Sequence, residues 1–169
     1  MPTNDQAAFE LDSNSPQQTE AIGRALGLAA EGGELLGLIG ELGAGKTRLV
    51  KGIAAGLGLK DQGQVRSPTF VLIREHPGRL RLFHVDAYRL QGPAELLSLG
   101  LDEILDHGGL TAVEWADRVG DLLPPDRLDL DFAIIGSNQR RITFRCGGMK
   151  AISYLDRIRE HLPEELAAS

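Results

Sequence analysis

Apolar residues at 21, 22, 25, 26 and 29 recur at the spacing of one helical face. Just upstream, Ser15, Pro16 and Gln18 predict how that helix begins. Serine serves as N-cap, proline takes the first helical position, and glutamine at the third closes a capping box. Gly32-Gly33 is expected to end it. Residues 7–11 ahead of it read as a short strand. After it, residues 34–39 (ELLGLI) form a near-continuous apolar run, the mark of a strand buried on both faces. A glycine-rich turn then leads into a second helix, with Leu49, Val50, Ile53, Ala54 and Leu57 on one side and Gly58 as its stop.

Residues 60–68 are polar and contain glycine, hence a loop. Strands over 70–74 and 80–85 follow, and the Pro77-Gly78 turn between them is short enough to make the pair antiparallel. Two short helices over 93–99 and 101–105 are separated by Gly100, and residues 110–113 form another apolar strand. Leu128, Leu130, Phe132 and Ile134 alternate with Asp129 and Asp131, so a strand with one wet face is expected. Residues 136–138 turn it back into a strand at 142–144 as an edge hairpin. Ile152, Leu155, Ile158 and Leu162 sit at helical spacing and predict a final packed helix. Together these elements predict an α/β fold: a mixed, mainly parallel sheet flanked by helices, with an antiparallel edge hairpin. No repeat, low-complexity tract or linker divides the chain, so one domain over 1–169 is expected.

Charge narrows the partners. Eighteen basic against 24 acidic residues give a net charge of −6, which disfavours stand-alone nucleic-acid binding. Cys146 is the single cysteine, with no disulfide partner, and reads as a small hydrophobe on a strand. No basic stretch followed by an apolar run opens the chain, and the apolar runs are too short to span a bilayer. A cytoplasmic address and no membrane association are therefore expected.

The chemistry begins between the 34–39 strand and the second helix. Gly40-Glu41-Leu42-Gly43-Ala44-Gly45-Lys46-Thr47 fits G-x-x-x-x-G-K-[ST] at every required position. Glycines let the backbone curl so that successive N–H groups face the phosphates, next to a helix N-terminus. Lys46 supplies a point charge to the β- and γ-phosphates, and the Thr47 hydroxyl is a hard ligand for Mg²⁺. The strand-loop-helix context marks a P-loop NTPase, with residues 40–47 as the phosphate cradle.

Two acids end strands where ligands of parallel sheets collect: Asp86 after residues 80–85, and Glu114 after residues 110–113. Either could be the carboxylate on the Mg²⁺ side. Ser67-Pro68-Thr69 closes a loop whose hydroxyls could meet a γ-phosphate, as switch loops do. His84 alternates in register with Leu80 and Leu82 and reads as a satisfied core histidine. Trp115 and Tyr88 read as core packing with polar tips. Arg66, Arg89 and Arg118 lie near the expected ligand edge, without a pattern that singles one out.

The motifs at 40–47, Ser-Pro-Thr-Phe at 67–70, His-Val-Asp-Ala-Tyr-Arg-Leu at 84–90 and Val-Glu-Trp-Ala-Asp-Arg at 113–118, in this order, resemble the TsaE (YjeE) family. The resemblance runs from about residue 15 to about residue 141. It implies a bacterial P-loop ATPase required for threonylcarbamoyladenosine in tRNAs that read codons starting with A. It also implies TsaB and TsaD as partners, contact with tRNA only through them, and weak hydrolysis alone. By resemblance the Mg²⁺ ligands fall on Thr47 and Glu114, the functionally important Asp on Asp86, the motif Trp on Trp115, and the switch loop on residues 67–69. The catalytic set so implied is Lys46, Asp86 and Glu114. The ATP-binding set is Glu41, Leu42, Gly43, Ala44, Gly45, Lys46, Thr47 and Thr69, and residues 15–19 lie near the adenine.

Other classes fit less well. A small-molecule kinase would use Asp86 as base and needs a basic lid, yet the only adjacent arginines, Arg140-Arg141, open the expected edge strand. The guanine-reading N-K-x-D of GTPases and the L-S-G-G-Q of transport ATPases are absent. A purely structural ATP clamp is the remaining alternative.

Overall fold

The computed structural model describes residues 9–60, 65, 73–88 and 90–167. Its strands are β1 (Phe9–Ser13), β2 (Leu35–Ile39), β3 (Ile73–His76), β4 (Leu82–Asp86), β5 (Leu110–Glu114), β6 (Leu128–Ile134) and β7 (Arg140–Cys146). The helices are α1 (Pro16–Ala29), α2 (Lys46–Gly56), α3 (Pro93–Ser98), α4 (Leu101–Asp106), α5 (Met149–His161) and α6 (Glu164–Ala167). One sheet takes the order β1-β7-β6-β2-β5-β4-β3. The four strands β6, β2, β5 and β4 run parallel at its centre, while β3, β7 and β1 join by antiparallel pairing. The 128–146 hairpin forms as expected, but β1 pairs along β7 from Phe9 to Ser13 and takes the outermost place. Arg140 and Arg141 thus open the strand one in from the edge.

Burial explains the apolar β2 run. Leu36 and Leu38 join the core shared with α1, α2 and α5, whereas Leu35 packs with Val85, Val113, Leu96 and Leu101 on the other face. Period-two alternation with both faces covered is what a near-continuous apolar strand does. Ile134 departs from its predicted burial at 44% exposure, because β6 there runs past its inner neighbour.

The α1 start follows the expected capping chemistry with one shift. Ser15 Oγ accepts from Gln18 N at 3.1 Å, but the Gln18 amide oxygen accepts from Asn14 N, one residue before the cap. The helix ends at Ala29, ahead of Gly32-Gly33. Its contact with α2 is made by glycines. A Cβ on Gly23 would lie 2.1 Å from Leu49 O, one on Gly27 2.3 Å from Ile53 O, one on Gly52 2.1 Å from Glu20 O, and one on Gly56 2.3 Å from Arg24 O. The two backbones therefore touch, and Ile22, Leu26, Leu49 and Ile53 are fully buried around the contact.

On α5 the buried stripe is Ala151, Tyr154, Leu155 and Ile158, while Ile152, expected inside, is 41% exposed. The rotation is fixed by polar contacts to α1: Tyr154 O–H donates to Leu26 O at 2.6 Å and Arg157 Nε to Ala29 O at 3.0 Å. Cys146 ends β7 half-buried against the core, as a small hydrophobe should.

On β3, burial together with the like charges of His84 and Arg74 holds the His76 imidazole below its usual range. The folded protein thus resists a proton that the unfolded chain accepts. The resulting stability is complete above the unfolded value of about 6.5 and is lost as pH falls toward the folded value. Urea midpoints measured from neutral to mildly acidic pH should fall, and His76→Gln should flatten that part of the slope. An unchanged slope would contradict this.

Candidate functional site

The loop at 40–47 is shaped by its glycines: Gly43 has φ +81° and Gly45 φ +108°, backbone that side chains rarely adopt. Gly45 is the N-cap of α2, so the first free amides of that helix open at the loop. Glu41, Leu42 and Gly43 are exposed, with Leu42 at 87%, while Ala44 is buried beneath them.

Lys46 is buried, and its ammonium donates to Gly40 O and, at 3.0 Å, to Glu41 O. It also lies 4.0 Å from the centre of the Trp115 ring. Burial lowers its pKa, against the pull of Glu114, Asp117, Asp86 and Glu41. The charges of four carboxylates thus act on one cation near the carboxyl ends of β2, β4 and β5.

Glu114, the last residue of β5, and Asp86, the last of β4, are register partners on adjacent parallel strands. Thr47 Oγ1 donates to Glu114 at 3.1 Å to Oε1 and 3.3 Å to Oε2. Glu114 Oε2 also meets His84 Nε2, so that nitrogen carries the hydrogen if the carboxylate is ionised. His84 Nδ1 is buried with no hydrogen-bond partner among the described residues. The expectation of a satisfied core histidine holds for its burial and for Nε2, and is corrected at Nδ1: this fully buried imidazole braces Glu114 and leaves one nitrogen unpaired. Asp86 Oδ1 accepts from Tyr88 N at 2.9 Å, an Asx turn that fixes the carboxylate beside the strand end.

The donor set suits a hard cation. A hydroxyl and a carboxylate converge, and no cluster of three or more His, Cys, Asp or Glu able to hold a metal occurs among the described residues. Mg²⁺ is held in this sparse manner, by one or two protein oxygens together with phosphates and water.

Beyond it, the Tyr88 and Trp115 rings meet at a 45° tilt with centres 4.8 Å apart, and the Arg118 guanidinium lies over Tyr88 at 4.6 Å while donating to Tyr88 O. Trp115 holds φ +60°, the only non-glycine with positive φ among the described residues. Both aromatics read as core packing; Trp115 does pack, partly buried, against the cluster of Leu35, Val85 and Val113 while its ring meets Lys46, but Tyr88 is 49% exposed. By sequence Asp117 has no role beyond its place in the 113–118 motif, and Arg140 counts only as half of an arginine pair set aside as a lid. Arg140 reaches the loop from 97 residues away, donating to Gly43 O and Ala44 O. A recess of about 190 Å³ beside the loop is lined by Pro16, Thr19, Gly43, Gly45, Asn138 and Arg140 among others. Thr69, with Ser67, Arg66 and Arg89, lies outside the described residues.

Residues 13–142 match the family described as threonylcarbamoyl adenosine biosynthesis protein TsaE. The tRNA threonylcarbamoyladenosine biosynthesis protein TsaE of Bacillus subtilis (strain 168) is 38% identical over 148 residues, covering 87% of this chain and 91% of the relative. The protein of the same name from Treponema pallidum (strain Nichols) is 37% identical over 131 residues, 78% of this chain and 96% of the relative. The crystal structure of Bacillus subtilis YdiB aligns with a TM-score of 0.77 at 34% identity, covering 90% of this chain and 95% of that one. The fold is that of a P-loop NTPase. Among the described residues, no helix is long and apolar enough to cross a membrane.

Proposed function

Because the chain belongs to the TsaE family, we propose that it is a Mg²⁺-dependent ATPase acting in tRNA threonylcarbamoyladenosine biosynthesis, with turnover stimulated by TsaB and TsaD. It works in the cytoplasm as one domain and meets tRNA only through those partners. The observation that carries this reading is the meeting of Thr47 and Glu114 beside Lys46, at the mouth of a loop with every P-loop position filled.

In this mechanism the amides of residues 41–47 bind the phosphates and Lys46 draws their negative charge inward. Thr47 and Glu114 would hold Mg²⁺, which neutralises charge on the phosphate oxygens. Asp86 orients the attacking water or couples the site to the segment containing Thr69. Trp115 shields Lys46 from solvent, which keeps its charge effective. The recess at Pro16 and Thr19 takes the base.

Slow hydrolysis alone is expected, because the described arginines beside the site are both engaged, Arg118 on Tyr88 O and its ring and Arg140 on the carbonyls of Gly43 and Ala44. A finger arginine is worth on the order of 10³–10⁵ in rate, and the partner complex would supply that stabilisation. Phosphate release measured alone, with TsaB and TsaD, and with tRNA added should rise when the partners are present. Equal turnover in all three would count against the proposal. Label appearing on an organic acceptor would indicate a kinase with Asp86 as base instead.

A further inference from the structure

We propose that Arg140 is a positioning residue for the phosphate loop, acting on its carbonyls rather than on the ligand. The inference rests on the nucleotide-binding reading above and adds a component to it. When a loop turns its N–H groups inward to a phosphate, its C=O groups point outward and need donors of their own. The half-buried Arg140 guanidinium supplies them: Nε donates to Ala44 O at 3.1 Å and Nη2 to Gly43 O at 3.2 Å. Its remaining nitrogen, Nη1, donates its two hydrogens to Gln139 O at 2.9 Å and Gly136 O at 3.0 Å, with Ser137 O at 3.4 Å as a shared acceptor. One rigid fork thus ties the loop to the β6–β7 turn.

Two consequences follow from the chemistry. Gly43 and Gly45 leave the loop backbone free to adopt many conformations, so a charged clamp on residues 43 and 44 removes freedom that binding would otherwise have to remove. A cation on the outer carbonyls also polarises those peptides, making the amides beyond them better donors to an anion. Lysine keeps the charge but has no planar fork to span both carbonyls and the turn. No pattern in the chain announces this role: Arg140 begins a strand whose partners are β1 and β6, and it meets the loop only in three dimensions.

The test is calorimetry of Mg·ATP and of Mg·tripolyphosphate, which has no base or sugar, on the natural chain, Arg140→Gln, Arg140→Lys and Lys46→Ala. Arg140→Gln should weaken both ligands about tenfold, the scale of one lost charged hydrogen bond, with little change in melting temperature. Arg140→Lys should recover only part of the loss. Loss for ATP with none for tripolyphosphate would overturn the proposal in favour of a direct contact to base or sugar. Affinities within about twofold of the natural chain would also overturn it. So would a fall in melting temperature large enough to account for the weakened binding, or full recovery by lysine. If the natural chain and Lys46→Ala bind neither ligand, the nucleotide-binding reading itself has failed, which is a separate outcome.

Discussion

Gly52→Ala should cost the protein about 2–3 kcal/mol or more of its stability, although alanine is the better helix former. The added Cβ would stand 2.1 Å from Glu20 O, 2.9 Å from Glu20 C and 3.0 Å from Arg24 N, all backbone atoms of α1. No rotamer change can relieve a clash with backbone, so the helices must move apart. Separation opens gaps around Ile22, Leu26, Leu49 and Ile53, which are fully buried. Alanine's helix-propensity gain of about 1 kcal/mol offsets only part of that. For a chain of this size the melting temperature should fall by roughly 5–12 °C. The control is Gly92→Ala, where nothing lies within 4 Å of the added carbon, and which should melt close to the natural protein. A Gly52→Ala protein with an unshifted melting curve would show that the contact yields more easily than its geometry implies. The effect reaches the site because α2 begins at Lys46 and its N-cap is Gly45. Tilting the helix moves the lysine and Thr47 together.

These glycines show where the sequence was legible and where it was not. The apolar stripes of α1 and α2 were readable because burial follows a 3.6-residue period. The glycines at 23, 27, 52 and 56 carry no apolar surface and drop out of such a reading, yet they set how closely the helices approach. The loop at 40–47 was legible because four fixed positions, Gly40, Gly45, Lys46 and Thr47, fall at the required spacing within eight residues, between an apolar strand and a helix. Asp86 and Glu114 were legible as strand ends, and the structure brings both to the same edge in register. His84 was not, because alternation tells which face of β4 it occupies but not that Glu114 stands opposite it. The outer place of β1 was likewise hidden: a five-residue strand announces its existence but not its neighbour. Arg140 lies furthest from any one-dimensional signal, since its partners are loop carbonyls that every residue type presents equally.

Glu114→Gln should abolish most Mg²⁺-dependent ATP turnover, by a factor on the order of 10³, while leaving the fold and metal-free nucleotide binding nearly intact. The amide keeps the size but loses the charge that makes a carboxylate a ligand for a hard cation, and it can accept from Thr47 only with its oxygen turned that way. Metal stabilisation of developing phosphate charge is worth several kcal/mol, which sets the size of the loss. The neighbouring histidine sharpens the prediction. His84 Nε2 engages Oε2, so His84 holds the carboxylate plane in place while Oε1 faces Thr47. Glutamine must choose which atom to present to each neighbour. With its oxygen toward His84, its NH₂ faces the threonine and the intended cation, which repels the metal. In the reverse orientation the NH₂ meets His84 Nε2, which must shift its hydrogen to the unpartnered Nδ1 to accept, and the oxygen left toward the cation carries no net charge, in a site where Glu114 is only 3% exposed. Either way the metal dependence suffers, not only the maximum rate. Turnover at increasing Mg²⁺, with TsaB and TsaD present, should therefore need more metal and reach a lower plateau. Binding of ATP in a chelator should match the natural chain. A variant whose turnover kept the natural Mg²⁺ dependence would remove Glu114 from the metal side of the site and return that role to Asp86, its partner across the strands.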